Sequence, residues 1–361
     1  AIAALASVAL VAACGTSSTS AGGSTSMATN SADSPTTSTA SAAQESGSSD
    51  DRTSISTRVR QSSTGASPAD ILAANADTSQ AAQAADDSDN AGVYDASAQS
   101  TTTITASGDS VDVAGGAADD VAVDSADGTT ITITASGTYV VTGGLDNGRV
   151  IVAADDADVH LILAGASITS ADGPAIDIQD AGSAVLVLAE GTTNTLADGS
   201  TYAAGEDAAT AALSSSDTIT ITGTGSLNVT GSYNDGISSK NGLVITGGTT
   251  ITVDAVDDGL RGKDYLLVSG GTLTITAGGD GLKSDEDNDE TKGFVALGAA
   301  TVSVVSGDDG VSAATDMTVD GTTLSITAGG GQSSADVSAE TLRLTTLGDL
   351  TPGAAVNLER A

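Results

Sequence analysis

From about residue 101 onward, apolar and polar positions alternate in short runs, and the runs recur. Leu227 and Val229, Ile251 and Val253, Leu273 and Ile275, and Leu324 and Ile326 are each separated by one polar residue, and each run is opened by a glycine: Gly225, Gly248, Gly271 and Gly321. A second series keeps the same beat through Ile219 and Ile221, Leu243 and Ile245, Leu266 and Val268, Phe294 to Leu297, Met317 and Val319, and Leu342 and Leu344. Period-two alternation in β-branched residues predicts strands, and nothing in the repeat has the 3.6-residue period of an amphipathic helix. Two or three such strands in a repeat of about 22 residues predict one coil of a right-handed parallel β-helix, whose coils bury their apolar faces only by stacking. Ile251 and Val253 then point inward onto their equivalents one coil away, and the threonines between them face water.

Upstream, Ile131 and Ile133, Tyr139 to Val141, Val150 to Val152, Val159 to Leu163, Ile176 and Ile178, and Val185 to Leu188 read as strands of looser period. The same stack is expected to begin there, its first coils acting as an amino-terminal cap. The 44 glycines are expected to supply positive-φ corners, and the four prolines leave the inter-coil hydrogen bonds intact.

Four acidic steps are set into this repeat: Asn234-Asp235-Gly236, Asp257-Asp258-Gly259, Asp280-Gly281 and Asp308-Asp309-Gly310. Stacked coils place equivalent side chains about 4.8 Å apart, where like charges repel unless a cation lies between them. Hard divalent cations take six to eight oxygen ligands, so Asp235, Asp257, Asp258, Asp280, Asp308 and Asp309 are candidate calcium ligands. Asp-Gly is also a strong turn former, and a solvated turn edge is the other reading. Between the third and fourth steps an insertion adds Asp285, Glu286, Asp287, Asp289 and Glu290. Asp285, Asp287 and Asp289 are further candidate ligands, but not of an EF-hand: Glu290 stands where that loop needs glycine and Ala296 where it needs glutamate.

All four lysines, Lys240, Lys263, Lys283 and Lys292, fall in this stretch with Arg261. Lys240 and Lys263 each follow a ladder glycine by the same interval, so a row of cations is expected beside the carboxylates. With Tyr233 and Tyr265 they are candidate ligand-binding residues. His160, the single histidine, lies in an apolar strand and is expected to be structural.

The 361 residues carry 47 acids against 11 bases, a net charge of -36, which disfavours nucleic acid and anionic lipid as partners. Residues 1–13 form an uncharged apolar run similar to the core of a secretory signal. The small residues before Cys14, the one cysteine, resemble a bacterial lipobox, which implies lipidation of Cys14 and a secreted protein anchored to the outer face of the cytoplasmic membrane. The basic start of such a signal is missing from the sequence. Residues 14–100, rich in Ser, Thr, Ala, Asp and Gly, are expected to be a disordered tether, and 101–361 a β-helix domain that is monomeric.

Taken together, Tyr233-Asn234-Asp235-Gly236-Ile237-Ser238-Ser239-Lys240, Asp257-Asp258-Gly259-Leu260-Arg261-Gly262-Lys263-Asp264 and Gly278-Gly279-Asp280-Gly281-Leu282-Lys283-Ser284 resemble the signature of a bacterial family of carbohydrate-binding domain-containing proteins. Gly137 to Gly143 and Glu190 to Gly199 resemble its amino-terminal half. The chain departs from its relatives in its Ala/Thr/Asp bias and in Ala313-Ala314, where an earlier rung has a lysine. The resemblance implies a surface-held β-helix, similar in shape to pectate lyases, that binds calcium and polysaccharide, with cellulose or acidic glycans as candidates. A non-catalytic role is expected first. A pectate-lyase-like enzyme is the alternative, with Arg261 or a lysine as base, and an adhesive surface protein presenting its threonine rows is a third.

Overall fold

A computed structural model of the protein describes residues 101–202, 209–289, 291–329 and 358–359. The signal-like run, Cys14, the tether and the strand expected at Leu342 to Leu344 lie outside the described residues. Those described fall in one compact unit.

The chain forms a parallel β-helix with three faces. One face stacks Ala211–Ser215, Asp235–Ser239, Leu260–Gly262, Leu282–Ser284, Val311–Ala313 and Leu358–Glu359. The second stacks Ile219–Gly223, Gly242–Ile245, Tyr265–Val268, Phe294–Gly298 and Met317–Asp320. The third stacks Ser226–Gly231, Thr250–Ala255, Thr272–Ala277, Thr301–Ser306 and Thr323–Thr327.

Register turns the sequence alternation into columns. Ile131, Val150, Ile176, Leu213, Ile237, Leu260, Leu282 and Val311 lie one above another inside the first face. Tyr139, Leu161, Leu186, Ile221, Ile245, Val268, Leu297 and Val319 do the same inside the second. All are at most 3% exposed, and each such aliphatic side chain contributes about 1.5–3 kcal/mol by leaving water. A one-residue slip would turn every column outward, which is why the alternation pins the register.

The looser upstream period has a structural cause. Gly148–Thr169 and Ile176–Leu188 are long strands that bend round the corners, and their pairing shifts register between Ala154 and Asp158, where Asp156 has a positive φ of 50°. The amino-terminal cap consists of antiparallel additions. Ser110–Gly115 pairs with Thr101–Ser107, and Val121–Asp124 pairs with Thr129–Ile133.

A second, smaller apolar cluster lies on the outward side of the second face. Val244, Tyr265, Leu267, Phe294 and Ala296 are buried there, with Tyr265 stacked on Phe294 at 5.4 Å between ring centroids. Tyr265 is therefore core, at 0% exposed, and the sequence expectation that it contacts a ligand is corrected.

Candidate metal and ligand site

The acidic steps form the corner between the third and first faces, and the glycine that follows each is fixed by packing. A Cβ on Gly236 would lie 2.2 Å from Val253 Cγ1, on Gly259 2.4 Å from Ile275 Cγ2, on Gly281 2.2 Å from Val304 Cγ1 and on Gly310 2.1 Å from Ile326 Cγ2. None of the four has a positive φ. The expectation of positive-φ corners is thus corrected at the ladder: the glycine is there because the chain turns directly over an inward side chain of the third face.

Backbone bonds tie each corner to the next. The amides of Gly236, Gly259 and Gly281 donate to the carbonyls of Asp258, Asp280 and Asp309 at 2.8–2.9 Å. The side chains form a parallel ladder: Asp235 Oδ1 accepts from the amide of Asp258 (3.4 Å), Asp258 Oδ1 from that of Asp280 (2.9 Å) and Asp280 Oδ1 from that of Asp309 (3.0 Å). Each of these aspartates therefore has one oxygen committed to the next rung. A repeated turn residue is not simply solvated here, since Asp235, Asp258 and Asp280 are 1%, 4% and 7% exposed.

The carboxylates gather into two groups, Asp235 with Asp257 and Asp258, and Asp280 with Asp308 and Asp309. Within each group one oxygen from every residue lies within 4.8 Å of the others. Two oxygens on one calcium ion, each at about 2.3–2.6 Å from it, are separated by no more than about 5 Å, so the donor chemistry and spacing of both groups fit such an ion.

Between the groups stands an ammonium. Lys283 Nζ is 3.0 Å from Asp258 Oδ2 and 3.0 Å from Asp280 Oδ2, so the step between these two rungs is bridged by a side chain. Six carboxylates thus divide into two sets of three about a tethered cation. Arg261, next to Lys283 in the same outward column, sends Nε and Nη2 to Asp285 Oδ2 at 3.1 and 2.7 Å.

Burial sets the electrostatics. It pushes the Asp235 carboxyl up to about 7, with Asp258 adding to the rise and Arg261 opposing it. Burial also raises Asp258, against the pull of the Asp280 amide and Lys283. Desolvation acts to lower Lys283 and Arg261, but their carboxylate partners prevail and hold both above the ordinary range.

The remaining candidates divide. Asp285 is taken by Arg261, and Asp287 and Asp289 are not in either metal-capable group among the described residues. Lys240 and Lys263 do stand in line, since the Lys240 amide donates to Ser215 and that of Lys263 to Ser239. Their line lies at the far end of the first-face strands, so the cations beside the carboxylates are Arg261 and Lys283 instead. Lys263 pairs with Glu286 at 3.0 Å and Lys292 with Asp264 at 2.8 Å, each tying the insertion to the coil below. His160 faces outward on the second face beside Val185 and Thr138, and burial lowers its pKa.

Tyr233 is 43% exposed, and its ring stacks on Tyr202 at 4.2 Å. Asp198 secures that pair by accepting from the amides of Ser232 and Tyr233 and from the Tyr202 hydroxyl. Neither Asp198 nor Tyr202 was among the sequence candidates; the Asp198-Gly199 dipeptide was the available signal, hidden because its coil is out of period.

Comparison with known proteins adds three findings. Residues 127–348 match the family described as carbohydrate-binding domain-containing protein. A solved structure of a polysaccharide lyase-like protein from C. thermocellum, a gadolinium derivative, is similar at 27% identity and a TM-score of 0.60, over 72% of this chain and 97% of that one. No curated protein matches.

Proposed function

Because the chain belongs to the carbohydrate-binding domain-containing protein family, we propose that it is a non-catalytic polysaccharide-binding protein whose acidic corner holds calcium. The observation that carries the metal reading is the pair of three-carboxylate groups, each within the span of one ion's ligand shell and each partly dehydrated. Bound calcium would offset the repulsion within each group and present open coordination positions to sugar hydroxyls or carboxylates. The related C. thermocellum structure is a gadolinium derivative, and gadolinium, like calcium, is a hard cation that favours oxygen ligands. Cellulose and acidic glycans are the proposed partners, and a lipid anchor at Cys14 would hold the protein at the cell surface.

A lyase reading draws on the lyase-like neighbour. Proton abstraction next to a uronate carboxyl needs a base that is neutral at working pH. Arg261 and Lys283 are the cations at the site, and their carboxylate neighbours hold both protonated, which favours binding over catalysis.

Calorimetric titration of calcium into the chelator-treated full chain tests the metal reading. Binding at millimolar calcium or tighter is expected, with one site weakened by Asp257→Asn and the other by Asp308→Asn; no binding refutes it. Incubation with polygalacturonate should release no unsaturated, ultraviolet-absorbing products, whose appearance would overturn the non-catalytic assignment.

A further inference from the structure

The first face carries a second feature, away from the carboxylate groups. Its outward column runs Asp177, Ser214, Ser238, Arg261, Lys283 and Ser312, so the ladder cations are continued upstream by Ser214 and Asp177. Around those two residues lies a cleft of about 720 Å³, also lined by Arg149, Gln179, Tyr202 and Lys240. Its volume falls within the range of about 300–1,000 Å³ of small-ligand sites.

The composition of its walls is not that of an average patch of this protein. Arg149 and Lys240 are the two basic residues between positions 61 and 260, and both line this cleft. Two carboxylates, Asp172 and Asp177, share it, so the cleft is close to charge balance in a molecule of net charge -36. Gln179 Nε2 donates to Asp177 Oδ2 at 2.8 Å, and Arg149 Nη2 to Asp172 Oδ1 at 3.1 Å. The Asp172 side chain is 69% exposed, so that pair is a weak competitor for the guanidinium.

Donors and acceptors thus alternate over a short distance: guanidinium, carboxylate, amide, hydroxyl and ammonium. A sugar hydroxyl donates one hydrogen bond and accepts others, and such a set satisfies both at once. Charge balance leaves the cleft without a net attraction for an anion, which the field of the whole molecule opposes. Tyr202 contributes ring surface from a position fixed by Tyr233 and by its hydroxyl bonds to Asp198 and Ala211.

We infer that this cleft is a metal-independent subsite for a neutral oligosaccharide, with Asp177, Gln179, Arg149 and Lys240 as its hydrogen-bonding groups and Tyr202 as its wall. It rests on the polysaccharide-binding reading above and adds a location that does not use the acidic corner.

The test is calorimetry on the full chain with cello-, xylo- and mannohexaose as neutral probes and hexagalacturonate as the anionic one, in calcium and in chelator. At least one neutral hexamer is expected to bind equally in both conditions. Asp177→Asn should weaken it about tenfold, as expected for a hydrogen bond to a charged group, and Gln179→Ala about threefold, as expected for one to a neutral amide, while calcium titration stays unchanged. Gln179 is exposed, and its side chain bonds to Asp177 among the described residues, so its variant isolates the cleft from folding. Absence of neutral binding, its loss in chelator, or indifference to both substitutions overturns the inference. Failure of calcium to bind while neutral binding persists removes the metal reading and leaves the cleft standing.

Discussion

Replacing Asp235 with asparagine should stabilise the metal-free protein and destabilise the calcium-loaded one. Asp235 is 1% exposed, and its pKa stands at about 7 against an ordinary value of 3.8. A raised folded-state pKa means that the folded state holds the proton more tightly than the unfolded chain. The associated stability is complete below about 3.8, declines as pH rises, and is gone above about 7. At about 1.4 kcal/mol per pH unit, that interval corresponds to about 4 kcal/mol. Asparagine keeps an oxygen to accept from the Asp258 and Asn234 nitrogens, yet carries no charge to dehydrate. Urea unfolding in chelator at about pH 8 should therefore show Asp235→Asn more stable than wild type by up to about 4 kcal/mol, the difference vanishing near pH 4. Millimolar calcium should reverse the sign, because the ion stabilises only a site that retains its ligand. If the variant is less stable than wild type in chelator at both pH values, burial of the Asp235 charge is not what the corner contends with.

Other substitutions probe the same corner and its supports. Lys283→Met strands two carboxylates whose side chains are 6% and 9% exposed, and should cost about 3–5 kcal/mol in chelator, with part of the loss recovered in calcium. Gly259→Ala drives a Cβ to 2.4 Å from Ile275 and 2.6 Å from the Gly281 carbonyl, and should cost more than about 2 kcal/mol; Gly248→Ala, whose nearest neighbour is Thr224 Cγ2 at 3.3 Å, should be close to neutral in the same unfolding assay. Asn194 is fully buried, accepts from the amides of Gly165 and Ala166 at 2.9 Å and donates to Ser226, so Asn194→Ala should lower stability by about 2–4 kcal/mol. Calcium affinity at the Asp235 group should fall about tenfold per pH unit below about 7 in calorimetric titrations, since the ion must displace a proton there.

The coil was legible in the sequence because its cause is local. Ile251, Val253, Leu273 and Ile275 alternate at a period that only stacked strands satisfy, and their register partners are those the repeat implies. The acidic residues were legible for the same reason, since Asp258 and Asp280 repeat with the corner that bears them. Which cation lies between two rungs was not: Lys283 reaches back to Asp258 through a side-chain conformation that no spacing specifies. Tyr265 was misplaced because a tyrosine opening a strand reads alike whether its outer face is wet or covered. The cleft was invisible because Arg149 and Lys240 are distant in sequence and meet only through the irregular coils, where no period links them.

The antiparallel strands at the amino end bear on polymerisation. A parallel stack ends in a rung of unpaired amides and carbonyls, a template on which a second copy would add head to tail. Here Ser110–Gly115 and Val121–Asp124 occupy that rung while running the wrong way for another coil, and they carry Asp112 and Asp124 on the outer edge. A parallel coil thereby loses its parallel template at this end, and the carboxylates disfavour strand addition there. Trimming these two strands should raise the tendency to form filaments, read as an increase in light scattering.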